Sequence, residues 1–394
     1  MAPPDAILGI TEAFTKDKNP NKVNLGVGVY RDDNAKPWVL PSVIEAEKRI
    51  FSQCMNKEYT TIIGMREFYN KAIELALGDD SDILKEKRYT SSQCLGGTGA
   101  LRVGGAFLGL FWRGERLVHI PIPSWPNHRS IFMHSGFKIA TYSYYDPKTL
   151  GLTTQGLFDA LNKMPEKSIV LLHACAHNPT GCDPTKEQWC EISHIIRCRK
   201  LYPFFDMAYQ GFATGDTDDD ALAVRLFAND GHTFCLAQSF SKNMGLYGER
   251  VGALTIICSS AEEAKRVASN VKTLIRPMYS NPPVHGARIA IEIFKDNELY
   301  KIWMEDLKTM ANRTIGMRQE LREKLIELGS KQSWEHITNQ IGMFCYTGLK
   351  LEQVARLTNE FSIYLTKDGR IAMVGVTSKN VGYVAECIHN VTKE

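Results

Sequence analysis

From Gly96 to Cys258 the chain alternates short apolar runs with longer segments in which apolar residues recur every three or four positions. The second pattern predicts amphipathic helices, and the first predicts buried strands. A Gly-rich opening leads into an apolar helix from Thr98 to Trp112. A strand follows over Leu117 to Ile122, a helical stretch over Asn127 to Ser135, a strand over Lys138 to Tyr144 and a helix over Thr154 to Asn162. The series continues with an apolar strand from Ser168 to Cys175, a helix opening at Pro184 and Thr185 and running to Lys200, a strand from Tyr202 to Asp206 and a helix from Ala221 to Asn229. Strands at Thr233 to Gln238 and Val251 to Cys258 close it. Strands alternating with helices at this spacing predict an α/β unit with a mostly parallel sheet covered on both faces. Beyond Pro283 the pattern turns to long helices, Ala287 to Phe294 and Leu299 to Leu328. It ends in short strands (Met343 to Tyr346, Ile363 to Leu365, Ile371 to Val374) among helices, as in a smaller α+β unit.

Composition narrows the function more than the fold. The 394 residues are 44% hydrophobic, and Lys+Arg 47 against Asp+Glu 44 leaves +3. No excess positive field exists to neutralise the phosphates of a nucleic acid or to hold the chain on an anionic membrane. Apolar runs such as Ile169 to Ala176 fall well short of the roughly 18 residues of a membrane span. Ten cysteines without a CxxC pair suit a reducing compartment. The opening Met1-Ala2-Pro3-Pro4-Asp5 reads as neither an Arg-rich transit peptide nor a signal peptide. The partners to expect are small molecules and other protein subunits.

In open parallel sheets ligands bind beyond the carboxyl ends of the strands, so the polar residues there carry the chemistry. After Ser168 to Cys175 the turn Asn178-Pro179-Thr180-Gly181 leaves the Asn178 amide exposed. The strand ending at Asp206 puts a carboxylate behind an apolar run, with Tyr209 three residues on. That charge is costly without a cationic or hydrogen-bonded partner. After Leu236 come Ser239, Ser241, Lys242 and then Arg250: hydroxyls and a guanidinium for a phosphate, and an amine that burial can deprotonate. Gly96-Gly97-Thr98-Gly99 opens a helix, so its N–H groups and the Thr98 hydroxyl form an anion site. The register is not that of a dinucleotide fingerprint. His173, Cys175 and His177 alternate along one strand face, yet no fourth metal ligand is spaced nearby, and a buried core face is the simpler reading. Asp216, Asp218, Asp219 and Asp220 lack the pattern of a calcium loop and read as a solvated helix start.

Asn178-Pro179-x-Gly181, Asp206-x-x-Tyr209, Ser239-x-Ser241-Lys242 and Arg250, in that order, resemble the pyridoxal-phosphate aminotransferases of fold type I. Asn24 to Arg31, His173 to Gly181, Ala208 to Phe212 and Ser239 to Arg250 make the chain similar, over essentially its whole length, to the aspartate aminotransferase family. The resemblance implies a seven-stranded sheet in a large cofactor domain (residues 37–312) and a smaller α+β domain (residues 1–36 and 313–394). It also implies pyridoxal 5'-phosphate, held by Lys242 as an internal aldimine, and no metal. By position Lys242, Asp206 and Tyr209 are catalytic. Gly97, Thr98, Ser239, Ser241 and Arg250 take the phosphate, with Tyr59 reaching it from the neighbouring subunit of a homodimer with shared active sites. Trp125 stacks on the ring, Asn178 and Tyr209 bond its oxygen, and His128 steadies Asp206.

For the substrate, the same likeness has Arg370 bind the α-carboxylate and the other subunit's Arg276 the distal one, with Gly28 closing over a site that Trp125 and Asn178 also line. The implied reaction is ping-pong exchange of an amino group between L-aspartate and 2-oxoglutarate, so dicarboxylic amino acids and 2-oxo acids are the partners. Ile275 to Pro283 and Phe361 to Tyr364 resemble the mitochondrial rather than the cytosolic form, implying the mitochondrial matrix, with the cytoplasm as second choice. The alternatives are a broad-range aromatic or kynurenine-type aminotransferase, or a catalytically silent binding protein. The latter's mark would be loss of Lys242, Asp206 or Arg370, and all three are present.

Overall fold

The computed structural model describes residues 6–393. The Met1 to Asp5 opening therefore lies outside the described residues. Seven strands form the main sheet: β1 Tyr89–Leu95, β2 Leu117–Ile122, β3 Lys138–Ser143, β4 Ile169–His173, β5 Tyr202–Met207, β6 Cys235–Ser239 and β7 Val251–Ile257. Their spatial order is β1-β7-β6-β5-β4-β2-β3. The β3-β2-β4-β5-β6 pairings are parallel, and β7 runs antiparallel to both neighbours. The expected α/β sheet with a smaller α+β unit is present. β1 escapes the sequence pattern because its residues Thr90, Ser91, Ser92 and Gln93 are polar. They are satisfied one by one: Ser91 Oγ meets Thr255 Oγ1 at 2.7 Å, Gln93 Nε2 donates to Pro283 O at 2.7 Å, and Gln93 Oε1 accepts from Met65 N at 3.0 Å.

Local chemistry fixes the helix starts. Thr185 opens the helix Lys186–Cys198 with a capping box, its Oγ1 accepting from Gln188 N while Gln188 Oε1 accepts from Thr185 N. Helices that escape the alternation reading include Pro41–Ser52, Arg66–Leu77 and Ala261–Tyr279. In the last of these the charged positions and Pro277 dilute the apolar period. The expected strand Ile371 to Val374 is shorter, Arg370–Ala372, because the chain turns into a single 3-10 turn at Met373–Gly375.

Two sides of the sheet carry the core of the large unit, with Phe204 and Leu254 on one and Phe205 and Leu236 on the other. A separate core joins Val23 and Leu25 to residues between Leu321 and Val391. The 31-residue helix Asn297–Glu327 serves both. Its Leu299, Trp303, Leu307 and Met310 pack with the large unit, and Leu321 and Leu325 pack with the small one. Among the described residues no helix is long and apolar enough to cross a membrane.

Candidate active site

The carboxyl ends of β1, β4, β5 and β6 and the start of β7 meet at one edge of the sheet, where a cavity of about 250 Å³ opens. Gly28, Gly97, Thr98, Trp125, Asn178, Asp206, Tyr209, Ser239, Ser241, Lys242, Arg250 and Arg370 all line it. Residues separated by more than three hundred positions thus converge: most follow strand ends at that edge, while Gly28 and Arg370 reach the cavity from outside the main sheet.

At one end lies a cradle for an anion. Gly96 has φ +68°, and a Cβ there would come within 2.6 Å of the Arg250 guanidinium, so glycine is required where the chain enters the helix Gly96–Phe111. Arg250, itself at φ 53°, directs Nη1 to Ser241 Oγ at 3.4 Å and to Tyr247 O at 3.0 Å. Ser239 Oγ accepts from Ser241 N at 3.3 Å. Two hydroxyls, a guanidinium and a helix N-terminus together match the oxygens of a phosphate.

At the other end stands Asp206, with its side chain 11% exposed. Burial works to raise its pKa. The hydrogen bond from His128 Nε2 at 2.7 Å, together with the charge of Lys242, outweighs burial and holds the carboxyl below the ordinary range. His128 is positioned in turn. Asn178 N–H donates to His173 Nδ1 at 3.4 Å, and burial drives His173 down to about 3 and keeps it neutral. The His173 proton therefore sits on Nε2, facing Ser124 Oγ at 3.0 Å, and the serine hydroxyl is left to donate to His128 Nδ1 at 2.9 Å. That leaves His128 Nε2–H for Asp206.

Between the two ends is Lys242. It makes no hydrogen bond or ion pair among the described residues, and its Nζ lies 5.4 Å from the centre of the Tyr209 ring. Burial pulls its pKa below the usual lysine range, Asp206 opposes, and Arg250 pushes the same way as burial. Arg370 acts on Tyr209, opposing the burial that holds that phenol well above its ordinary value. Asn178 Oδ1 is buried without a partner. A phosphate cradle, an uncommitted amine, an orphaned amide oxygen and an ionised carboxylate fit pyridoxal phosphate in size and donor chemistry.

The remaining expected residues stand apart. His128 is fully buried behind the cavity and touches Trp125 edge-on, with ring centres 5.1 Å apart. Tyr59 is 86% exposed, and Arg276 is exposed with its guanidinium on Ser280 Oγ, so neither lines the cavity of its own chain. Sequence reasoning also missed Tyr247 and Phe344, both cavity-lining. Tyr247 Oη accepts from Tyr30 N at 3.0 Å, and the Phe344 ring lies under Arg370. For Phe344, an aromatic residue in an apolar strand carries no signal that separates a wall from a core. The aspartate run is corrected too. Asp220 is 2% exposed and accepts from Thr214 Oγ1 at 2.9 Å and Ala213 N at 3.0 Å, so it anchors the 211–220 loop rather than facing solvent.

A family model described as aminotransferase class I and II matches residues 20–388. The chain is 56% identical over 393 residues to the mitochondrial aspartate aminotransferase of Xenopus tropicalis, covering 100% of this chain and 92% of that one. Among solved structures, a mitochondrial aspartate aminotransferase from Trypanosoma brucei is 46% identical, with TM-score 0.95, covering 98% of this chain and 100% of the other. An aromatic-amino-acid aminotransferase from Burkholderia pseudomallei, covalently bound to pyridoxal phosphate, is 43% identical with TM-score 0.97, over 100% of this chain and 98% of that chain.

Proposed function

This chain belongs to the class I and II aminotransferases, and we propose that it transfers an amino group reversibly between L-aspartate and 2-oxoglutarate, giving oxaloacetate and L-glutamate. The observation that carries the reading is the uncommitted, buried Lys242 amine sharing one cavity with an ionised Asp206 and the guanidinium of Arg370. Pyridoxal phosphate, when bound, supplies an electron-poor ring that takes up the electron pair left at the substrate α-carbon. Gly97, Thr98, Ser239, Ser241 and Arg250 would hold its phosphate, Asn178 and Tyr209 would bond its ring oxygen, Trp125 would pack on the ring, and Asp206, steadied by His128, would pair with the ring nitrogen. The depressed pKa of Lys242 lets Nζ take the α-proton and return it. Tyr209 orients the reacting groups beside that amine.

Arg370 binds the α-carboxylate. Its Nε is buried without a partner and only Nη2 is engaged, with Gly26 O at 2.9 Å, so the guanidinium has N–H groups to spare for a fork on substrate. The position of Gly26 and Gly28 beside it supports closure of that segment over the bound acid. The exposure of Tyr59 and Arg276 supports a homodimer in which each serves the other subunit's cavity, Tyr59 at the phosphate and Arg276 at the distal carboxylate. The two cores support a boundary that assigns 37–312 to the large domain and 1–36 with 313–394 to the small one. The names of the mitochondrial relatives favour the matrix.

A second reading, acceptance of aromatic amino acids, draws on a groove of about 840 Å³. It shares Asn178 and Arg370 with the site and is walled by Ile10, Leu351, Val354 and Leu365. One experiment weighs both, the ratio of kcat/KM for aspartate to that for phenylalanine in wild type and Arg276→Asp. Turning a bidentate pair into like-charge repulsion should lower the ratio about 30-fold to several thousand-fold. An unchanged ratio would remove the dicarboxylate assignment.

A further inference from the structure

Arg370 is 4% exposed and forms no ion pair among the described residues, and the one hydrogen bond of its guanidinium among them goes to Gly26 O. A guanidinium buried in that way needs some other compensation, and the structure provides one. The Arg370 guanidinium carbon sits 4.1 Å from the centre of the Phe344 ring. We propose that Phe344 is the positioning residue for Arg370, an aromatic platform that holds the charged fork in one plane while leaving its N–H groups free for a substrate carboxylate. The inference rests on the reading of Arg370 as the α-carboxylate site.

The geometry is built into the small sheet. Strands Phe344–Tyr346 and Arg370–Ala372 pair antiparallel, with Tyr346 opposite Arg370 and Phe344 opposite Ala372. Phe344 and Arg370 are therefore diagonal neighbours on one face. The backbone that carries the ring is anchored, since the Phe344 carbonyl accepts from the buried Arg318. Its tip presses on Gly28, where a Cβ would lie 2.8 Å from Phe344 Cζ. The platform thereby explains why residue 28 bears no side chain. It also explains why no acid partners Arg370. A carboxylate would offset the burial of charge but would occupy the very N–H groups that substrate needs. The negative face of an aromatic ring attracts the cation and takes no hydrogen bond.

Because every amino acid and 2-oxo acid substrate carries the same α-carboxylate, the platform should act on all of them equally. The test uses the holoenzyme loaded with pyridoxal phosphate and two replacements. Phe344→Leu removes the aromatic face. 3,5-Difluorophenylalanine at 344 weakens the face while leaving the tip toward Gly28 unaltered, whereas tyrosine would drive a hydroxyl into it. The dissociation constant of succinate, a dicarboxylate that cannot react, is read by calorimetry. It should rise about 3- to 30-fold in the leucine variant and about 2-fold in the fluorinated one. KM for aspartate and for phenylalanine should rise by a common factor with kcat little changed. A folded leucine variant that binds succinate like wild type would overturn the proposal. So would a fluorinated variant equal to wild type, since the ring would then act by packing alone, and that variant decides the matter if the leucine chain does not fold. A wild type that fails to transaminate aspartate would instead sink the underlying function.

Discussion

Asp206 and Asp220 are two nearly enclosed aspartates of the same large unit, fourteen positions apart, and their surroundings drive them in opposite directions. Burial raises Asp220 to about 7, and the neutral donors Thr214, Ala213 and Gly211 recover only part of the loss. Burial acts on Asp206 as well. There a hydrogen-bonded imidazole and the charge of Lys242 reverse it, so this carboxyl stays ionised. Equal enclosure therefore does not set ionisation; the sign of the neighbours does. The loop anchor tolerates a proton near neutrality because its partners are neutral N–H and O–H donors. The strand-end residue must remain an anion to meet a cationic ring nitrogen.

The harshest way to break the contrast is Lys242→Ala, which removes both the reactive amine and one cation beside Asp206. Transamination should fall on the order of 10⁴-fold, the upper range for loss of a positioned acid–base group, while phosphate binding and the fold persist. Single-turnover kinetics on the folded variant check it, and near-normal turnover would refute the role. Asp206→Asn is next, on the order of 10³-fold, because a preorganised charge is lost but the amine remains. Measuring α-proton exchange apart from cofactor affinity separates the two effects. An exchange rate equal to wild type would mean that the anion does not serve the ring.

These residues were legible in the sequence because a charge at the end of an apolar strand has few structural uses. Asp206, Lys242 and Arg250 stood out for that reason, as did Asn178 in its turn. Asp220 was misread because four acids within five positions look solvated, and nothing local reveals that the chain folds three donors over one of them. β1 was invisible for the converse reason, since its buried Ser91 and Gln93 are paid for by hydrogen bonds to Thr255 and Pro283, which no periodicity registers. Phe344 looked like core because what sets it apart is a guanidinium twenty-six positions further on.

Asp220 gives the stability arm of the comparison. Its folded pKa is raised, so its contribution is fully present below the unfolded value near 4 and is lost as pH rises through about 7. Displacement from 3.8 to about 7 corresponds to roughly 4 kcal/mol as an upper bound. Asp220→Asn mimics the protonated acid and cannot titrate. Wild-type stability relative to the variant should therefore decline between pH 4 and pH 7 and be level above, as read by chemical denaturation across that range. A difference that does not vary with pH would show that Asp220 is ionised in the fold.

The gentlest intervention pushes Asp206 toward the condition of Asp220 without touching either carboxyl. His128→Ala takes away the 2.7 Å donor and leaves burial and Lys242 in place. Loss of an outer partner of this sort costs about 10-fold in activity. Its signature lies in pH more than in rate. With the donor gone the Asp206 pKa rises, the anion is lost at a higher pH, and the acid limb of the kcat profile should move upward. His128→Gln, which can still offer an amide N–H, should move it less. The tautomer that aims His128 Nε2 at Asp206 is set by Ser124, and through it by His173 and the Asn178 N–H, so Ser124→Ala should shift the limb the same way as His128→Ala, by a smaller amount. If the acid limb stays where it is in all three variants, Lys242 alone keeps Asp206 ionised, and the imidazole serves only to pack behind it.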